Sequence, residues 1–192
     1  MSRRSQVERT DATRAALISA ARVLFESRGF AATGTPDIVA AAHVTRGALY
    51  HHFADKTELF HAVARQVAQE VADEITHRSK RRKTPLDALL AGSQAYFATM
   101  AEAGRARLLL LEAPAVLSAE QVMGLSETAG FQALQEGLRE ALGEGHAALP
   151  WRELSLLLSA AFDRAALAIA RGESAAPYER AIRLLISGLV SG

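Results

Sequence analysis

No cysteine occurs in the 192 residues, which removes disulfides, thiolate zinc ligands and a thiol nucleophile together. No apolar run approaches the ~20 residues that a membrane-spanning helix needs; the longest extends over a few residues only. Basic residues near the start have no apolar stretch behind them, so no secretory signal is expected. Cytoplasmic location and no membrane partner are the expectation. Sustained alternation of apolar and polar residues is missing too, and with it the signature of strands. What is present is ordinary for a globular protein, 49% hydrophobic and 22% charged. The small net charge hides an asymmetry. Residues 1–83 hold 14 Lys and Arg against 9 Asp and Glu, and the remainder holds 8 against 12. A basic head suited to a polyanion therefore precedes an acidic body.

The periodicity predicts an all-α chain of about nine helices. Leu17, Ala21, Leu24 and Phe25 share a face of a helix over residues 11–28, which Gly29 stops. A short helix runs from Thr35 to Ala42, with Pro36 at its first position. Asp55 and Glu58 form a capping signal before a longer helix striped with Leu59, Val63, Val67, Val71 and Ile75. The basic run at residues 78–83 breaks the pattern. Helices then resume over 85–102, 105–113, 118–142, 150–171 and 176–190, with the Ala113-Pro114 step as one of the stops.

Half of the six histidines lie in AHVTRGALYHHF, residues 42–53. His51 and His52 are adjacent and diverge by about 100° on a helix, so they are poorly placed to share a metal ion. No metal site is expected. Thr45 is a natural N-cap, with Val44 and Leu49 in the positions of a hydrophobic staple. Leu49 and Phe53 make the buried edge of a helix from Arg46 to His52, leaving Arg46, Gly47, Tyr50 and His51 outward. With the preceding helix this forms a helix–turn–helix whose second member projects. Its positive N-terminus and its Arg, Tyr and His suit the major groove and phosphates of DNA. A plain helical hairpin is the alternative.

The stretch from Gly29-Phe30 through Asp37-Ile38, Val44-Thr-Arg-Gly47, Leu49-Tyr50-His-His52-Phe53 and Lys56-Thr-Glu-Leu59 resembles the TetR family of bacterial transcriptional regulators, continuously over about residues 12–65. The resemblance implies a flexible basic arm at 1–10, an N-terminal three-helix DNA-binding domain at 11–77, a basic linker at 78–84, and a C-terminal effector-binding and dimerisation domain at 85–192. It implies that Thr35 and Pro36 open the helix crossing the DNA backbone. Thr45, Arg46, Gly47 and Ala48 then meet base edges and phosphates, Tyr50 and His51 meet the sugar–phosphate backbone or groove, and Lys56 binds a phosphate. Where the family usually has Gly in the turn, this chain has His43, at a position that often needs a positive φ. No Asn exists to pair with adenine, so Arg46 is the candidate for a guanine edge, with phosphate contact as the equal alternative.

For the body, the resemblance implies a homodimer and a small, largely apolar or aromatic effector, with no cofactor. Tyr178, Ile182, Leu185 and Leu189 are spaced like a coiled-coil seam, joined by Leu157, Ala161 and Ala165 as a dimer interface. Tyr96, Phe97, Met100, Leu110, Met123, Phe131 and Phe162 are the candidate pocket lining, with core packing as the alternative; Glu112 and Asp163 are polar anchors or, equally, exposed charges or buried salt bridges. The function expected is a repressor, dimeric on a palindromic double-stranded operator and released by its effector. The alternative is a protein-interaction role on the same fold without DNA. Enzymatic activity is not expected. The run from Gly143 to Ala148 fits a dinucleotide loop in letters, but a helix rather than a strand precedes it.

Overall fold

The computed structural model describes residues 3–80, 82–143 and 149–191, so most of the Gly143–Ala148 run lies outside the described residues. Nine continuous helices and no strand occur among them. The first, α1, spans Arg3–Arg28. Its backbone is already helical through residues 3–10, where the sequence predicted an arm. No proline or glycine interrupts that stretch, so nothing stops the helix from extending toward the N-terminus.

Gly29 ends α1 at φ 85°, and its N–H returns to the Phe25 carbonyl at 2.9 Å. After α2 (Thr35–Ala41) the chain turns through His43, the one non-glycine residue with positive φ among those described, at 55°. The reading of a glycine-favouring turn is thus correct, and the turn keeps its shape with a strained histidine. His43→Gly removes that strain, and an expected gain of about 0.5–1 kcal/mol follows. Equilibrium urea unfolding measures it; an unchanged midpoint argues that the histidine carries no strain.

The Thr45 hydroxyl caps α3 (Arg46–His52) by accepting from the Ala48 N–H at 3.2 Å. Leu49 is fully buried and Phe53 almost so, as the staple and the helix edge require. Asp55 caps α4 (Lys56–Ser79), accepting from the Glu58 N–H at 2.8 Å, while the Glu58 carboxylate reaches back to the Ala54 N–H.

The expected stripe of α4 is buried along its whole length, widened by Phe60, Ala64 and Ala68. Phe60 also meets Phe25 and Phe30 edge-on, with ring centroids 5.2 and 5.1 Å apart. Because the stripe never lapses, one hydrophobic core runs from the N-terminal helices into the body. The last turns of α4 therefore belong to both parts, and the boundary at 78 is a change of charge, not a break in packing.

The body begins with α5 (Pro85–Met100), capped by Thr84. Helix α6 covers residues 105–116 without stopping at Pro114. A proline loses one backbone bond and crowds the carbonyl four residues earlier. The ladder accommodates this by widening into a π-turn over Leu108–Glu112 before continuing as Ala113–Val116. Helix α7 covers 119–142 and bends at Gly130, whose φ of 130° lies within a second π-turn. Helices α8 (Trp151–Ala170) and α9 (Ala175–Ser191) complete the body. No helix of the described residues is long and apolar enough to cross a membrane.

Candidate nucleic-acid interface and effector cavity

Helix α3 stands with its N-terminus free and Arg46, Gly47, Tyr50 and His51 exposed on one side. The Arg46 guanidinium lies 5.5 Å from the Tyr50 ring centroid, a cation–π contact that presents the two side chains together. Hydrogen bonding toward Thr35, at the start of α2, and then toward Arg46 holds the Tyr50 phenol below its ordinary value. The turn thus brings Thr35 against Tyr50 although fifteen positions separate them. Pro36 is exposed beside Thr35, while Ala48 is half-buried at the helix base. His51 and His52 rings meet edge-on at 5.3 Å. Among the described residues, no three His, Asp or Glu side chains are grouped to hold a metal ion.

Lys56 is differently engaged from the expectation of a phosphate-binding side chain. Its ammonium donates to the Phe30 carbonyl at 2.8 Å and the Thr33 carbonyl at 3.0 Å, and lies 4.0 Å from the Phe30 ring centroid. Two of its three donors therefore hold the α1–α2 loop, and its position at the α4 N-terminus serves the placement of α2. The Phe30 carbonyl also accepts from the Thr33 N–H at 3.3 Å, and the sequence had no means of showing either backbone acceptor.

Helix α6 grips the head at the end of α1. The Arg107 guanidinium donates through one Nη to the Phe25 and Glu26 carbonyls, each at 2.9 Å. Glu112 accepts from the Phe30 N–H at 3.0 Å, and its other oxygen lies 3.2 Å from Arg107 Nε, an ion pair without hydrogen-bond alignment. Glu112 was expected among the effector's anchors; it is instead spent between body and head. Gly29 and Gly104 allow this approach. A Cβ on Gly29 would stand 2.5 Å from Glu112, and one on Gly104 would overlap the Glu26 carbonyl. A second tie joins α1, α4 and α6: Arg22 holds Glu70 at 2.5 and 2.8 Å, and Arg105 reaches the same carboxylate at 3.1 Å.

A cavity of about 490 Å³ opens between α4, α5, α7 and α8. Tyr96, Phe131, Phe162 and Asp163 line it, as expected. Phe97 and Met100 do not, being packed into the core at 1% exposure. Leu110 lies against the core from α6, and Met123 is exposed on α7. Phe97, Met100 and Leu110 fail for one reason, that helix periodicity separates apolar from polar faces but not a cavity wall from the core behind it; Met123 fails because it faces solvent. The missed lining mixes apolar residues such as Ile75, Leu89 and Leu134 with polar ones, including Ser79 and Lys80 at the end of α4 and Glu136 and Glu140 on α7. The Tyr96 hydroxyl donates to Asp163 at 2.5 Å across the floor.

Helices α8 and α9 leave an apolar groove on the outside. Leu157, Leu184 and Leu185 are 72%, 74% and 53% exposed, and Ala161 and Leu189 line the groove with them. Ala165 and Ile182 are instead buried within the monomer, while Tyr178 is half-buried and bonds Glu173. Helix α9 is apolar on two sides, so the expected seam mixes a core stripe with an outward one. Leu184 belongs to the outward one and was overlooked.

Comparison with known proteins accounts for both parts. A family model described as bacterial regulatory proteins of the tetR family matches residues 17–63, and one for the tetracycline repressor-like C-terminal domain matches 86–192. The chain is 38% identical to the HTH-type transcriptional regulator CymR of Pseudomonas putida over 84 residues, 44% of this chain and 39% of that protein. Over 63 residues it is 48% identical to the regulator TtgR of the same species, covering 33% of this chain and 30% of TtgR. These alignments thus span well under half of the curated relatives. A solved structure from Pectobacterium atrosepticum, described as a TetR-family transcriptional regulator, superposes over 99% of this chain and 96% of that one, at TM-score 0.70 and 29% identity.

Proposed function

Since the chain belongs to the TetR family of bacterial regulatory proteins, we propose that it is a transcriptional repressor, dimeric on a palindromic operator and released by a small, largely apolar effector. One observation carries the DNA reading: Arg46, Tyr50 and Thr35 form a polar group at the free end of α3. A short helix entering the major groove end-on presents that group to base edges and phosphates. The basic balance of the first 83 residues supplies the long-range attraction. The exposed leucines of α8 and α9 support the dimer, and the cavity supports the effector. An effector releases DNA only by favouring the released arrangement; moving nearly the whole population takes a preference of about 10⁴-fold.

The test is a footprint on the DNA upstream of the gene. Two half-sites about one helical turn apart are expected. Arg46→Ala is expected to cost about 1–3 kcal/mol on that site and less on random duplex. Equal losses on both reduce Arg46 to a phosphate contact. Failure to bind any duplex in a salt-sensitive way sinks the regulator reading and returns the chain to a protein-contact role.

A further inference from the structure

We propose that the cavity takes a lipophilic cation, an aromatic or alkyl body whose protonated amine seats against Asp163. This rests on the cavity being the effector site of the regulator proposed above, and it adds the chemistry of the ligand.

Asp163 projects from α8 into the cavity and receives a single hydrogen bond, from Tyr96. No Lys, Arg or His among the described residues forms an ion pair with it. Burial pushes its carboxyl upward, and the Tyr96 bond offsets only part of that. Burial and the nearby carboxylate push the Tyr96 phenol well up, so Tyr96 remains a neutral donor. A half-buried carboxylate with one neutral partner is costly until a cation meets it.

The walls suit the same ligand. The Tyr96 and Phe162 rings meet edge-to-face at 6.0 Å, and Phe131 faces the space from α7. Aromatic faces attract a desolvated ammonium and do nothing for a carboxylate. Lys80 is the one cationic side chain of the lining, against Asp163, Glu136 and Glu140. An anionic ligand would bring a like charge beside Asp163 in a poorly screened space. A neutral alcohol would give Asp163 a second hydrogen bond and leave its charge uncompensated.

Three probes share one body and differ in the head: phenylbutylamine, phenylbutanol and phenylbutyrate. Titration calorimetry at neutral pH is expected to find the amine bound about tenfold to a hundredfold more tightly than the alcohol, the margin of a charge-assisted contact. The carboxylate is expected to bind more weakly than either. Asp163→Asn, nearly isosteric, is expected to erase the amine's advantage while thermal melting shows a folded chain. The wild-type comparison stands by itself should that variant unfold. Equal binding of amine and alcohol, preference for the carboxylate, or binding of none of the three overturns the proposal. A gel shift then reads release separately. An amine that binds as stated but leaves operator affinity unchanged supports the cation site and removes the induction reading alone.

Discussion

Leu185→Asp is expected to leave the chain folded and monomeric, and to lower operator affinity by about two to four orders of magnitude. The side chain is half-exposed in the single chain, so a carboxylate there meets water at little cost. Against a second copy, the same carboxylate loses its hydration in a groove of leucines, with no partner to offset the loss. Affinity collapses because two half-sites are no longer bound by linked heads. Light scattering and a gel shift read the two effects. Ile182→Asp is the contrast: Ile182 is buried in the monomer, so that variant is expected to lose the fold itself. A Leu185→Asp protein that stays dimeric refutes the assigned face, and so does a wild-type monomer at micromolar concentration.

The second large effect concerns the contact between α6 and α1. Glu112→Ala removes the acceptor of the Phe30 N–H and the counter-ion of Arg107. A lost acceptor costs about 1–3 kcal/mol. Solvent reaches part of the Arg107 side chain and screens the rest of the loss. For a chain of this size, that is a melting-point drop of about 2–12 °C. The larger consequence is for release. Residues 25–33 carry the Lys56 contacts that set α2 and therefore α3. With Glu112 gone, the body has lost one of its side-chain contacts with that segment. The variant is expected to bind operator and effector while releasing DNA several-fold less completely. Glu112→Gln keeps an oxygen for Phe30 and is expected to retain most of the response. Full release by Glu112→Ala shows that coupling runs elsewhere, the Arg22–Glu70–Arg105 group being the next route to try.

Local chemistry in the chain was enough to foresee the elements. The Asp55 and Thr45 caps, the glycine stop at 29 and the stripe of α4 are all decided within a few neighbouring residues, and each is found where periodicity and capping put it. The strained turn at His43 was legible for the same reason. What escaped was long-range. Lys56 read as a phosphate binder and Glu112 as an effector anchor because their partners are backbone groups 23 to 82 positions away, and a backbone N–H or carbonyl leaves no mark in a sequence. Pro114 read as a stop because the π-turn that absorbs it depends on the neighbouring turns, not on its own type. On α9, two apolar stripes overlap in projection, and only packing decides which is spent inside.

The bare glycines at 29 and 104 also bear on whether this head and body can be exchanged for those of another chain. Each faces an atom of the other half of the molecule, Glu112 for one and Glu26 for the other. Here the seam is a pair of fitted surfaces, and it lies at the end of α1 far from the basic run at 78–83. A graft cut at that run would carry Gly29 with the head and Gly104 with the body. A foreign body joined to this head would have to bring its own acceptor opposite residue 30, and a foreign head joined to this body a main chain that tolerates Arg107. Swaps that ignore this are expected to yield proteins whose heads still grip DNA but no longer hear the sensor.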